Sequence, residues 1–347
     1  MLKMYLFNCV FSVYFCVLKV SRNKIIIKKM IGDIDKELWE ALSNSPFNTI
    51  DYENLLATNP IRIRKEEMDV SLSESPLAIP QDLTVSNIYI PSSDPARRVT
   101  LRIYGPKGLQ GAPIFVFFHG GAFIYGTPEQ YDFTFFKLAL DVGMLIVSVD
   151  YRLAPEQPFP AGMQDGYDTL LWLSRHADQI GGDRGRLLIG GSSAGATIAA
   201  SVALLARDRR EVCIEHQYLL YPPMSHLLQT DSMHTLANVP MQTRTAAAWM
   251  WHYYLPNEAN IPPKYAVPLL EDNLRDLPDS TIIVCEFDPF KDEGILYAEK
   301  LKKSNVSVTL MEVHGAVHAF DFFSCSLSDR FYDQQVHLFK QILGQGK

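Results

Sequence analysis

From Ile114 to Met311 the sequence keeps returning to one pattern, a short run apolar on both faces followed by a longer stretch with helical spacing. The runs are Ile114–Phe118, Leu145–Val149, Leu187–Ile189, Tyr218–Tyr221, Thr281–Cys285 and Val306–Met311. Strands without a polar face belong to a parallel sheet covered by helices on both sides. The spacing predicts those helices over Tyr131–Val142, Met163–Ile180, Ala194–Arg209, Phe290–Lys303 and Asp329–Leu343. Strand and helix alternate, so the class is α/β, with a mostly parallel central sheet flanked by helices. Ahead of this region Thr84–Ile90 and Val99–Tyr104 alternate at period two around Pro91-Ser92-Ser93-Asp94-Pro95, which predicts an antiparallel hairpin. Asp33–Leu42 reads as a short helix and Tyr52–Val70 as surface helix or loop.

One stretch breaks the alternation. Met224–Leu270 is too long for a simple connection and holds Thr243–Leu255, rich in Trp249, Met250, Trp251, Tyr253 and Tyr254. A helical cap inserted over the carboxyl edge of the sheet explains it. Its aromatic residues either bury the cap against the main domain or line a substrate pocket, and the two roles are compatible. A chain of 347 residues has room for both a large core and such a cap.

A formal charge of −7 offers no basic surface for nucleic acid. The five cysteines (Cys9, Cys16, Cys213, Cys285 and Cys325) are odd in number and lack C-x-x-C spacing, so reduced thiols are expected and no zinc site. Tyr5–Leu18 is apolar, shorter than a usual membrane span, and followed by Lys19, Arg22, Lys24, Lys28 and Lys29. Either residues 1–30 anchor the protein to a membrane, or translation begins at Met30 and the protein is cytoplasmic, which is the preferred expectation.

Chemistry gathers just past the ends of four of the runs, where open α/β sheets place their ligands. After Leu187–Ile189 comes Gly191-Ser192-Ser193-Ala194-Gly195, between a strand and a helix. A G-x-S-x-G in that setting is a nucleophile elbow, a turn so sharp that the flanking positions exclude side chains. Ser192 would sit in a poorer frame than Ser193. After Ile114–Phe118 comes His119-Gly120-Gly121-Ala122-Phe123. Glu286, Asp288 and Asp292 follow Thr281–Cys285, and His314 and His318 follow Val306–Met311. A serine hydroxyl needs a base to take its proton as it attacks. A neutral imidazole suits that task, with a carboxylate on its other nitrogen. Backbone N–H groups of Ala194, Gly120 and Gly121 are candidates for holding the oxyanion. No metal or cofactor is required.

In combination these motifs resemble those of the hormone-sensitive-lipase-like (family IV) esterases of the α/β-hydrolase fold. Their H-G-G-G-[FW] motif stands as His119–Phe123, and Y-R-L-A-P-E as Tyr151–Glu156. D-P-L-x-D-E-G stands as Asp288–Gly294, and H-G-x-x-H-x-F as His314–Phe320. The resemblance implies Ser193 as nucleophile, Asp288 as acid, His318 as base, and Gly120, Gly121 and Ala194 as the oxyanion hole. It also implies short- to medium-chain carboxylic esters as substrates. A two-part cap follows from it, with residues 31–80 and 224–268 as cap and 81–223 and 269–347 as core. Two positions depart from the family. Ser192 stands where Asp is usual, removing a charge beside the nucleophile, and Ala122 stands where a third glycine is usual, narrowing the acyl side.

The remaining polar residues fit structural roles. His119 orients the glycine turn, Asp292 opens a helix, and Glu286 belongs to a strand end. Arg152 and Glu156 form a buried brace under the site. His216, His226, His234, His252 and His337 stand apart from any constellation. An amide or formamide hydrolase with the same triad is the related alternative. A non-catalytic ligand-binding member, like the plant gibberellin receptors that lack the histidine, is disfavoured by His318. The expected partner is a small-molecule ester. Oligomeric state is left open, a homodimer being one form.

Overall fold

A computed structural model describes residues 33–73, 77–255 and 261–345. The extension at 1–30 lies outside them. In chain order the elements are α1 (Lys36–Ser43), α2 (Tyr52–Thr58), α3 (Arg62–Ser73), β1 (Leu83–Pro91), β2 (Arg98–Pro106) and β3 (Ala112–Phe118). Next come α4 (Asp132–Val142), β4 (Leu145–Asp150), α5 (Ala161–His176), β5 (Gly182–Ser192), α6 (Ala194–Arg209) and β6 (His216–Leu220). The last are α7 (Asp231–Thr235), α8 (Arg244–Tyr254), β7 (Asp279–Phe287), α9 (Lys291–Lys303), β8 (Val308–Val317) and α10 (Ser326–Ile342).

The strands form one eight-stranded sheet in the order β1-β2-β4-β3-β5-β6-β7-β8. β2 is antiparallel to both β1 and β4, and every later pairing is parallel. The expected hairpin is therefore present, at one edge of the sheet. Strand β3 shows why the middle is parallel. All seven of its residues are buried, and they divide by parity. Ile114, Val116 and Phe118 face a core shared with α5, α6 and α9, while Phe115 and Phe117 face a second core shared with α1, α4 and α10. Burying each such side chain contributes about 1.5–3 kcal/mol, and neither face of β3 could meet water.

Tyr52–Val70 resolves into the two helices α2 and α3. Their buried residues Leu55, Leu56 and Ile63 pack with Ile124 and Ala154, and the half-buried Trp249 and Tyr253 of α8 join them. Tyr253 donates its hydroxyl to Leu56 O at 2.9 Å. The aromatic helix α8 thus divides its work. Trp251 and Tyr254 turn toward the main core, where Tyr254 stacks on Phe123 with centroids 3.7 Å apart.

Two local expectations need correction. β8 continues to Val317, so His314 lies within the strand and not in the turn after it. Gly315 N–H donates to Glu286 Oε2 at 2.8 Å beside the register shift between Cys285 and Phe287, and the pairing resumes at Phe287 and Val317. Glu156 is no buried brace. Its side chain is 45% exposed and forks onto Arg64 of α3, while the buried partner of Arg152 is Asp165 on α5.

Candidate active site

The elbow is built by close backbone approach. Ser193 holds φ 51° and ψ −126°, a conformation L-residues rarely adopt and that surrounding structure must enforce. A Cβ on Gly191 would lie 2.4 Å from the carbonyl carbon and oxygen of Gly195. One on Gly195 would lie 2.0 Å from Phe118 O. Both obstacles are backbone, so neither could step aside. Ser193 N–H is anchored on Leu220 O at 2.9 Å, and α6 starts at the next residue. Ala194 therefore has an N–H with no intrahelical carbonyl to bind.

The imidazole of His318 bridges two partners. Its Nε2 lies 2.8 Å from Ser193 Oγ and its Nδ1 lies 2.6 Å from Asp288 Oδ2. A carboxylate only accepts, so Nδ1 carries the hydrogen and Nε2 is bare to accept from the serine. Asp288 Oδ1 accepts from the N–H of Phe290 at 2.9 Å, which fixes the carboxylate plane. Asp288 is 1% exposed, His318 5% and Ser193 9%. Tyr221 and Phe290 stand edge-on to the imidazole at 4.7 and 5.5 Å. Each member comes from the end of a different strand, β5, β7 and β8.

The glycine turn closes the other side. Gly121 sits at φ 120°, and a Cβ there would come 2.0 Å from Tyr125 O. The N–H groups of Ile124 and Tyr125 both bind Gly121 O. A Cβ on Gly120 would be 3.1 Å from Ser192 Oγ and 3.5 Å from Ser193 Cβ, so the turn lies against the elbow. His119 has the orienting place expected of it. Its Nδ1 donates to Gly120 O at 2.7 Å, its ring stacks on Tyr151, and burial pushes its pKa down to about 4, keeping it neutral.

The other candidates stand apart from the serine. His314 is 80% exposed and faces Glu286. Asp292 accepts from the N–H of Ser232. Ser192 is buried beneath the elbow and bonded to the hydroxyl of Tyr131. Three nearby groups escaped the sequence reading: Tyr131, Tyr221 and Asp321. Asp321 was the most visible of them, a lone acid inside the apolar stretch Ala316–Phe323. Among the described residues no cluster of three or more His, Cys, Asp or Glu could hold a metal ion, and no helix is long and apolar enough to cross a membrane.

Comparison with known proteins gives the family and the fold. The family described as alpha/beta hydrolase fold matches residues 115–322. Esterase LipI of Mycobacterium tuberculosis is 36% identical over 230 residues, covering 65% of this chain and 72% of its own. Among solved structures, a bacterial heroin esterase superposes with a TM-score of 0.80 at 30% identity, covering 90% of this chain and 99% of its own. A thermostable esterase from Pseudomonas putida gives 0.81 at 25% identity, over 90% and 98%.

Proposed function

The chain belongs to the α/β-hydrolase family, in its hormone-sensitive-lipase-like branch, and is a carboxylic ester hydrolase; from that premise we propose that it works through an acyl-enzyme on Ser193 and prefers esters of short to medium acyl chain. The observation that carries the reading is the pair of contacts on His318, 2.8 Å to Ser193 and 2.6 Å to Asp288. Ser193 Oγ attacks the ester carbonyl as Nε2 takes its proton. The imidazolium that forms is held by Asp288 and returns the proton to the leaving alkoxide. Water, deprotonated by the same nitrogen, then attacks the acyl-enzyme and frees the acid. The N–H groups of Gly121 and Ala194, with Gly120 beside them, meet the charge on the tetrahedral oxygen.

The preference for shorter chains is supported by the packing next to the glycine turn. Phe123, Trp251 and Tyr254 form a close cluster beyond the glycine turn, and Ala122 adds a methyl at φ 54°. We read α2, α3, α7 and α8 as the cap that covers this space. A panel of p-nitrophenyl esters and matched anilides tests the reading. Highest kcat/KM is expected on the shorter acyl chains, with Ser193→Ala silent on all. A maximum on anilides, or on long acyl chains, would overturn the substrate half.

A further inference from the structure

Beneath the elbow lie polar groups that the triad does not use. Ser192 Oγ is hydrogen-bonded to the hydroxyl of Tyr131. Tyr221 donates to Asp321 Oδ1 at 2.8 Å. Ser192, Tyr131 and Tyr221 are buried. They come from the end of β5, the start of α4 and the residue after β6, and Asp321 lies just past β8. Tyr221 is held at φ 35° with its N–H on Ile283 O at 2.7 Å. Ser192 lies against the glycine turn, and the ring of Tyr221 stands edge-on to the base, His318.

Among the described residues no Lys or Arg lies beside the carboxyl of Asp321. The titratable groups facing Asp321 are Tyr221, Tyr131 and Tyr218, the thiol of Cys285 on β7, and His318. From α10, Gln335 reaches only Tyr218. Of these groups, His318 alone can become a cation. Loss of solvent pushes Asp321 up to about 6, with Tyr221 and His318 opposing the rise. While the carboxyl is ionised, Tyr221 must donate to it. That hydrogen points toward Asp321. Once Asp321 is protonated it can donate to Tyr221, and the direction is no longer fixed.

We propose that Asp321 is a positioning residue for ester hydrolysis, acting through Tyr221 to hold the imidazole of His318 in register. The proposal rests on the roles given above to Ser193 and His318. The free enzyme then needs two groups deprotonated, His318 and Asp321. The acid limb of log kcat/KM against pH therefore falls more steeply than one proton allows.

Asp321→Asn keeps an acceptor for Tyr221 and removes the charge. It should lower kcat roughly 10- to 100-fold, the worth of a hydrogen bond to a charged group, and leave a one-proton limb. Tyr221→Phe keeps the ring on His318 and removes its bond to Asp321, with the same two effects expected, and it decides the matter if Asp321→Asn does not fold. Folded variants with wild-type kcat and the wild-type limb would overturn the role of Asp321. Mass spectrometry of an organophosphonate adduct separates the two readings. Label on Ser193 in every variant with unchanged rates overturns only the positioning role, whereas wild-type label elsewhere overturns the triad assignment and this proposal with it.

Discussion

Replacing Arg64 with Met should loosen the N-terminal helices from the active site without touching the triad. The guanidinium of Arg64 on α3 donates from Nε to Ile124 O at 2.6 Å and from Nη2 to Ala154 O at 2.9 Å. It also forks onto Glu156, with contacts of 2.7 and 2.8 Å. Both carbonyls belong to buried residues, and Ile124 lies in the turn that closes on Gly121 O. The fork is half open to water, with side chains 30% and 45% exposed, so it is worth only about 0.2–1 kcal/mol. The two stranded carbonyls cost more, about 1–3 kcal/mol each where water cannot replace the donor. Partial access to water puts the sum at about 2–4 kcal/mol. That energy holds α2 and α3 down and does not hold the sheet together, so its loss appears as local opening. Limited proteolysis should cut within residues 33–73 about 30- to 1000-fold faster in Arg64→Met, while Glu156→Gln, which spares the carbonyl bonds, changes the rate by less than about 10-fold. If Arg64→Met is cut no faster than wild type, or Glu156→Gln opens the helices as readily, the carbonyl bonds are not what fastens them.

Three further outcomes follow from the same coordinates. Gly121→Ala places a Cβ on Tyr125 O, so the turn must shift; kcat on a short ester should fall by about 10²–10³ with near-native far-UV dichroism. Asp288→Asn keeps the shape but lets the wrong tautomer of His318 form, and kcat should fall by about 10⁴, read in a stopped assay; a loss under tenfold would contradict its role. Glu293 is enclosed, accepts from the N–H groups of Met224 and Ser225, and is pushed up to about 8 by burial. The folded state then binds more protons than the unfolded chain between about pH 4.5 and 8, so this group's contribution to stability declines as pH rises through that window. Thermal melts should show Glu293→Gln gaining on wild type from pH 5 to pH 8; a constant difference would mean that the carboxyl does not titrate there.

The sequence announced the parts of this molecule whose causes are local. The run Ile114–Phe118 has no polar face and became a central strand, and the helix expected over Ala194–Arg209 has those bounds. The elbow was legible because a strand and a helix flank it directly in sequence and Gly191 is required by the backbone of Gly195, four residues away. β8 was drawn too short because it is an edge strand, where His314 can face water and the apolar signal fades. Glu156 was misplaced because its partner, Arg64, is 92 residues away and no spacing rule links them. Asp321 stood out as a lone acid in an apolar stretch, but its partners did not; Tyr131 and Tyr221 were invisible for the same reason. Each is ordinary where it stands in the chain, and they matter only because three strand ends and a helix start converge.

The proposed chemistry turns on one bond, between an acyl group and the hydroxyl of Ser193. Rapid acid quench of a slowly deacylating short ester, followed by peptide mass spectrometry, observes that bond directly. The acyl mass is expected on the peptide containing Ser193 at close to one equivalent, and it should vanish in Ser193→Ala. An adduct on Ser192, or full turnover with no adduct on Ser193 at any time, would contradict the mechanism.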